Sequence, residues 1–295
     1  MTQCLFIATK NTVDKYKQIG RRLNVSGVLK ILGVSRSGYN AFIKRTPSNS
    51  QIRKSKIVDK IIEIYEDSHE NYGAPKIAEK IHKENDDVIN NVSERTVGKY
   101  MRELGIKAQY IKHYTVTTKD SNFSIELKNI LDENFNPEHP NAAWCTDITY
   151  IWTCEGFVYL TSIMDLFSRK IIAWTLSKTL EAKWVVDTID KAKSIRNVDK
   201  PLVLHSDRGI QYTCNNYNIA TQGMITSYSK KAYPWDNACI ESFHALIKRE
   251  WINRFKILDY SHAYRLVFEY IEAFYNTVRI HSHCGYLSPN QYEVN

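Results

Sequence analysis

Three acidic residues stand where acids are costly or conspicuous. Asp147 interrupts AWCTDITYIWT, a run of aromatic and β-branched residues suited to a sheet interior, where a charge is costly unless paired or metal-bound. Asp207 directly follows PLVLHS, and Arg208-Gly209 must turn the chain there. Open α/β sheets place their ligands at such carboxyl ends. Glu241 lies about one and a half turns into a helix that starts near Asp236, beside apolar Ile240 and Phe243. Carboxylates are hard oxygen donors, and three from separate elements suit one or two Mg2+ ions. Such ions activate an attacking oxygen and stabilise a leaving oxygen in an in-line phosphoryl displacement. Taken singly, each acid also fits a plain role: a hydrogen-bonded strand Asp, a turn, a solvated helix face.

The elements that must position these acids form a recognisable order. Residues 143–153, 157–166 and 170–176 read as strands, with Glu155-Gly156 as a hairpin corner. Residues 181–196 have helical period, 201–205 form a short apolar strand, 212–222 a second helix and 224–229 a last strand. A long helix follows from about Asp236. This order predicts an α/β region with a mixed sheet.

The front of the chain reads differently. In VSGVLKILGVSRSGYNAFIK, Val28, Leu29, Ile31 and Leu32 share one helix, Gly33 turns the chain, and Ser35 or Ser37 caps a second helix. RTPSNSQIRKSK reads as a linker. Ile57 to Tyr65 and Ile77 to His82 have helical period. Ser93 can cap ERTVGKYMRELGI, with Val97, Tyr100, Met101 and Leu104 on its buried face and Gly105 as the stop. Arg95, Lys99 and Arg102 occupy the other side, where they can reach phosphates or base edges in a major groove.

Charge divides along the same line. Residues 1–120 hold 22 Lys and Arg against 13 Asp and Glu, leaving +9, and residues 121–295 hold 18 against 19, leaving −1. A basic front half suits phosphate neutralisation. No apolar run reaches membrane-spanning length, no secretory signal is visible, and six cysteines without a CxxC pair suit reduced thiols, so the expected setting is the cytoplasm, without a membrane partner.

Four other features read as structural. Asp165 suits a turn at a strand end, and His205 suits packing rather than catalysis. His281, His283 and Cys284 lack the fourth ligand a zinc site needs, and the aromatic residues between Tyr260 and Tyr275 have core spacing.

Together the motifs carry a resemblance. WCTDITY, HSDRG with Gln211-Tyr212, and Asp236-Asn237-Ala238 leading to Glu241-Ser242-Phe243 resemble the DDE core of insertion-sequence transposases, in particular the OrfB product of the IS-three family, related to retroviral integrases. GVSRSGYNAFIKR, NYGAPKIAEKI, MRELGIKA and the stretch from Tyr275-Asn276 through His281 to Gly285-Tyr286-Leu287-Ser288-Pro289 extend the likeness over most of the chain. The resemblance implies an RNase H-like catalytic core with a mixed five-stranded sheet, preceded by an all-α helix-turn-helix region. It implies that Asp147, Asp207 and Glu241 are the catalytic metal ligands, that Mg2+ is the cofactor with Mn2+ able to substitute, and that Lys248 contacts DNA at the element end.

It further implies strand cleavage and transfer on double-stranded DNA at the terminal inverted repeats and target, assembly as a homo-oligomer on DNA, an OrfA product or OrfA fusion as partner, and association with the bacterial nucleoid. The alternative is a DNA-binding regulator or inactive remnant. Two departures are visible: the 33 residues between Asp207 and Glu241 are slightly fewer than usual in the family, and Ile280 replaces a customary basic residue. The expected organisation is a helix-turn-helix-like segment at 1–50, a DNA-binding helical region at 51–115, a connector at 116–140, the integrase core at 141–255 and a C-terminal helix and tail at 256–295.

Overall fold

The amphipathic runs at the front of the chain become helices where side chains cap them. A computed structural model describes residues 2–84, 89, 91–108, 127–198, 200–230 and 233–294. Residues 109–126, which include the end of the expected DNA-binding region and part of the connector, lie outside the described residues. The chain forms two compact units, Met1–Lys60 with Asp87–Ile89, and Ile61–Asp86 with Asn90–Asn295.

The first unit contains α1 (Thr2–Gln18), α2 (Val25–Ile31), α3 (Arg36–Lys44) and the start of α4 (Asn49–Asp67). Phe6, Leu29 and Tyr39 form its small core. Ser35, not Ser37, caps α3, its hydroxyl accepting from the Gly38 N–H at 3.0 Å. The expected linker is corrected here: from Asn49 onward its residues belong to α4. Ser48 and Gln51 explain this by forming a reciprocal capping box, with the Ser48 N–H donating to Gln51 Oε1 at 2.9 Å and the Gln51 N–H to Ser48 Oγ at 3.3 Å.

In the second unit, α5 (Ala74–Lys83) and α6 (Glu94–Leu104) precede the sheet. Ser93 caps α6 and Gly105, at φ 72°, ends it. Val97 and Met101 are buried, whereas Leu104, expected inside, is exposed in the last turn.

Beyond them come β1 (Ala143–Thr153), β2 (Gly156–Asp165), β3 (Ile171–Ser177), α7 (Ala182–Ile195), β4 (Val203–Ser206), α8 (Ile210–Thr213), α9 (Asn215–Ala220), β5 (Ile225–Tyr228), a 3-10 turn (Pro234–Asn237), α10 (Ala238–Glu250) and α11 (Tyr260–Phe268). A π-helical stretch (Glu269–Tyr275) continues α11, and α12 (Pro289–Val294) closes the chain. The single helix expected over 212–222 is two short ones, broken at Cys214, whose extended backbone separates them.

The five strands form one mixed sheet in the order β3-β2-β1-β4-β5, antiparallel across β3-β2-β1 and parallel across β1-β4-β5. Alternation along the strands gives each face its own core. Cys145, Ile151, Leu160 and Met164 pack with Ile240, Phe243, Ile247 and Tyr270 from α10 and the segment after α11. Trp144, Ile163 and Leu204 pack on the other face with Val185, Ile189, Tyr212 and Tyr217. This is the mixed five-stranded α/β architecture with an all-helical front that the resemblance implied. Among the described residues no helix is long and apolar enough to cross a membrane.

Hydrogen bonds tie the segment before α5, and the last residue of α5, to the end of the same unit. The Arg254 guanidinium donates to Asn71 Oδ1 at 2.7 Å, the Ile280 N–H donates to the Tyr72 hydroxyl at 3.0 Å, and Lys83 Nζ donates to the Tyr286 carbonyl at 2.8 Å.

Candidate active site

Asp147 shares the parity of Cys145 and Ile151 on β1, so it faces the α10 side of the sheet. Its Oδ1 accepts from the Ile148 N–H at 2.8 Å, and its Oδ2 lies 3.3 Å from Nδ1 of His244 on α10. Nε2 of the same ring lies 2.7 Å from the hydroxyl of Ser162, which pairs with Asp147 across β1 and β2. In the tautomer with Nδ1 donating to the carboxylate, Nε2 accepts the Ser162 proton. A helix residue thus fixes the strand carboxylate.

Asp207 follows β4, and its Oδ1 accepts from the Gly209 N–H at 2.9 Å. Gly209 keeps that approach open: a Cβ there would sit 3.0 Å from the same oxygen, which would have to give way by a few tenths of an ångström. Arg208 is committed elsewhere, its Nε donating to the Ser229 carbonyl at 2.7 Å and its Nη2 to the Leu127 carbonyl at 3.1 Å. Asp207 therefore has no neutralising partner in its own neighbour. Desolvation first, and the negative charge of Asp147 second, push its carboxyl up to about 6 against the pull of the Gly209 N–H.

Glu241 lies in the first turn of α10. Its carboxyl is also raised, by desolvation and then by Asp147 and Asp207. Beneath them, the buried Tyr212 phenol is pushed up by burial and then by the charges of the same two aspartates. The three acids chosen from the sequence therefore lie within one another's electrostatic reach. Lys248, seven residues along α10 from Glu241, has its ammonium lowered by burial, with Asp147 opposing.

Among the described residues, no three His, Cys, Asp or Glu side chains are gathered as a group able to hold a metal ion. The donor set nevertheless suits a hard divalent cation chemically, being all carboxylate, and its mutual repulsion is what such a cation relieves. The residues fit the ion in chemistry and charge.

The other expected DNA contacts lie on α6. Arg95 is exposed, Lys99 lies 3.9 Å from Glu103, and the Arg102 side chain turns back to donate to the Gly98 carbonyl at 3.2 Å. None of the three bonds to the acids. Asp165 accepts from the N–H groups of Asn141 and Phe167 at 2.9 and 3.0 Å, a turn role. His205, pushed down to about 4 by burial, faces the hydroxyls of Ser227 and Ser229 at 2.9 and 3.2 Å. Sequence reasoning missed His244 and Ser162. The one available signal was that His244 stands three residues after Glu241, on a neighbouring part of the helix surface.

Comparison with known proteins identifies the family. Residues 137–236 and 222–289 match two families each described as Integrase core domain, and residues 53–114 match the HTH-like domain family. The chain is 34% identical over 251 residues to the transposase for insertion sequence element IS904 of Lactococcus lactis, covering 84% of this chain and 98% of that protein. The chain belongs to the insertion-sequence transposase family. It is likewise 30% identical over 274 residues to transposase InsF for insertion sequence IS3A of Escherichia coli, covering 92% of this chain and 94% of that protein. Among solved structures, the HTLV-2 integrase catalytic core domain in complex with magnesium aligns with a TM-score of 0.41 at 16% identity, covering 53% of this chain and 98% of that one. The transposase resemblance read from the motifs is thereby established, and the helix-turn-helix match spans α5 and α6.

Proposed function

We propose that the chain catalyses metal-dependent strand cleavage and strand transfer at the ends of its insertion element, with Asp147, Asp207 and Glu241 as the catalytic carboxylates. The observation that carries this reading is the charge the acids exert on one another: Asp147 raises the carboxyl of Asp207, and Asp147 and Asp207 together raise that of Glu241. Acids within one another's electrostatic reach, at a cost to their ionised forms, call for a cation. Mg2+, with Mn2+ as substitute, would be held by these three and would supply Lewis-acid activation of the attacking and leaving oxygens.

The chain's own residues set the geometry. The Ile148 N–H and the His244 ring hold the Asp147 oxygens, and the Gly209 N–H orients Asp207. Lys248 holds a phosphate of the end DNA beside the reacting bond. In the first step a water oxygen forms a bond to phosphorus, the bond to the 3′ oxygen breaks, and a 3′ hydroxyl is released. In the second, that hydroxyl attacks a target phosphodiester and displaces another 3′ oxygen.

Arg95, Lys99 and Arg102 place α6 on the duplex as phosphate or base contacts. The partners are the terminal repeats and target DNA, further copies of the chain on that DNA, and an OrfA product or fusion, in the bacterial cytoplasm at the nucleoid. The division into 1–50, 51–115, 116–140, 141–255 and 256–295 assigns DNA recognition to the front and chemistry to the core. The test is cleavage of a duplex carrying the element end in Mg2+: nicking at the end, lost on chelation, supports the reading, and binding without nicking in the presence of the OrfA product overturns it.

A further inference from the structure

On the flank of α10 that carries Ala238, Ser242 and Leu246, a cavity of about 370 Å3 opens between that helix, Lys76 of α5, Arg169 after β2, and residues 279–283 of the tail. Its lining contains three cations, Lys76, Arg169 and Arg279, together with Ser242, His281 and His283, and no carboxylate. Their partners decide how much positive charge is left to the space. Arg279 is committed to Glu250, which it grips with two bonds of 2.7 Å. Arg169 donates to the Phe135 and Leu166 carbonyls and to Asn136 Oδ1, all uncharged acceptors. Lys76 has the Tyr72 ring at 5.0 Å and, among the described residues, no carboxylate at ion-pair distance.

Two groups register the resulting field. Burial first, then Arg279, brings the Lys76 ammonium down to about 7, and burial followed by Arg279, Lys76 and Arg169 brings His281 down to about 2. An anion entering this space would hold Lys76 charged and accept from the ammonium and from the Ser242 hydroxyl. Ser242 adjoins Glu241 in sequence but points about 100° away around α10, so the anion would lie on the flank of the helix neighbouring the carboxylates.

We propose that this cavity is a phosphate subsite that holds a backbone phosphodiester of the bound element-end DNA. That the occupant is DNA rests on the transposase reading, whereas the preference for a phosphate rests on the cavity. The cavity volume lies within the range of ordinary ligand pockets and accommodates a backbone segment rather than a lone ion.

The experiment is acylation footprinting of the full chain at pH 8, read residue by residue by mass spectrometry, with two probes: a duplex carrying the element end, and inorganic phosphate. Lys76 should react readily in the free chain. The duplex at about ten times its Kd should slow that reaction about tenfold, and inorganic phosphate should do so in the millimolar range alone. Ser242→Asp, an exposed position that the fold tolerates, should abolish protection of Lys76 while leaving protection of Lys99 on α6 intact. Lys76→Arg should retain end-DNA affinity that Lys76→Met loses. Equal reactivity of Lys76 with and without the duplex overturns the proposal, as does protection by micromolar phosphate with none by DNA, which would mark a free-anion site. Cleavage of the same duplex is scored separately: cleavage with Lys76 unprotected sinks the cavity alone, and protection without cleavage supports the cavity while sinking the reaction.

Discussion

His244 Nδ1 lies 3.3 Å from Asp147 Oδ2, and through Nε2 the same buried ring reaches Ser162 Oγ at 2.7 Å. The helix that carries Glu241 is thereby fastened to the strand that carries Asp147. His244→Phe keeps the apolar volume but leaves both partners unsatisfied, a cost of about 1–3 kcal/mol. Strand cleavage should fall about 10- to 100-fold with DNA affinity unchanged, because the loss concerns carboxylate orientation. His244→Asn, which can still donate to Asp147, should recover much of the rate. Equal loss in both variants would assign the ring to packing.

Asp207 predicts an unusual stability profile in the metal-free protein. Its folded-state carboxyl, at about 6, lies above the ordinary aspartate value of ~3.9. Protonation therefore favours folding: the penalty is fully present above about pH 6 and fades as pH falls through that value toward ~4. Asp207→Asn should stabilise the metal-free chain at pH 7.5 by on the order of 1 kcal/mol, after allowing for screening of an accessible group, and give no gain near pH 4. Urea unfolding at the two pH values checks this. A destabilised variant at pH 7.5 would count against it.

Glu250 and Arg279 form a buried ion pair, each nearly inaccessible, with the Tyr270 hydroxyl donating to Glu250 at 2.8 Å. Arg279→Met should cost about 3–5 kcal/mol by stranding a buried carboxylate. Adding Glu250→Gln should return part of that. Denaturant midpoints of the two variants decide the matter.

Arg95 is exposed in the first turns of α6. If α6 lies on the duplex, Arg95→Ala should weaken end binding and lower the slope of log affinity against log salt by about 1. An unchanged slope would remove Arg95 from the interface.

Much of the core was legible because its signals are local. The β1 run is bounded by the residues that bound it in the structure, and the strand-helix order of the sheet follows from alternation and period. The acids were visible because each sits against its local pattern. What stayed hidden depends on distant partners. His244 acquires its role from Ser162, 82 residues away, and Glu250 from Arg279, 29 residues away. The misread linker has another cause: Pro47 and a polar composition concealed the Ser48–Gln51 cap that starts α4.

The central claim is that Asp147, Asp207 and Glu241 act as one catalytic unit. The most direct measurement is cleavage and strand transfer on element-end DNA in Mg2+ by Asp147→Ala, Asp207→Ala and Glu241→Ala, alongside Asp190→Asn on the exposed side of α7 as control. Each alanine variant should lose at least about a thousandfold in rate while keeping its DNA affinity, since ligands of one centre fail together, and the control should match the parent chain. Any one of the three retaining cleavage within about tenfold of the parent would contradict the claim.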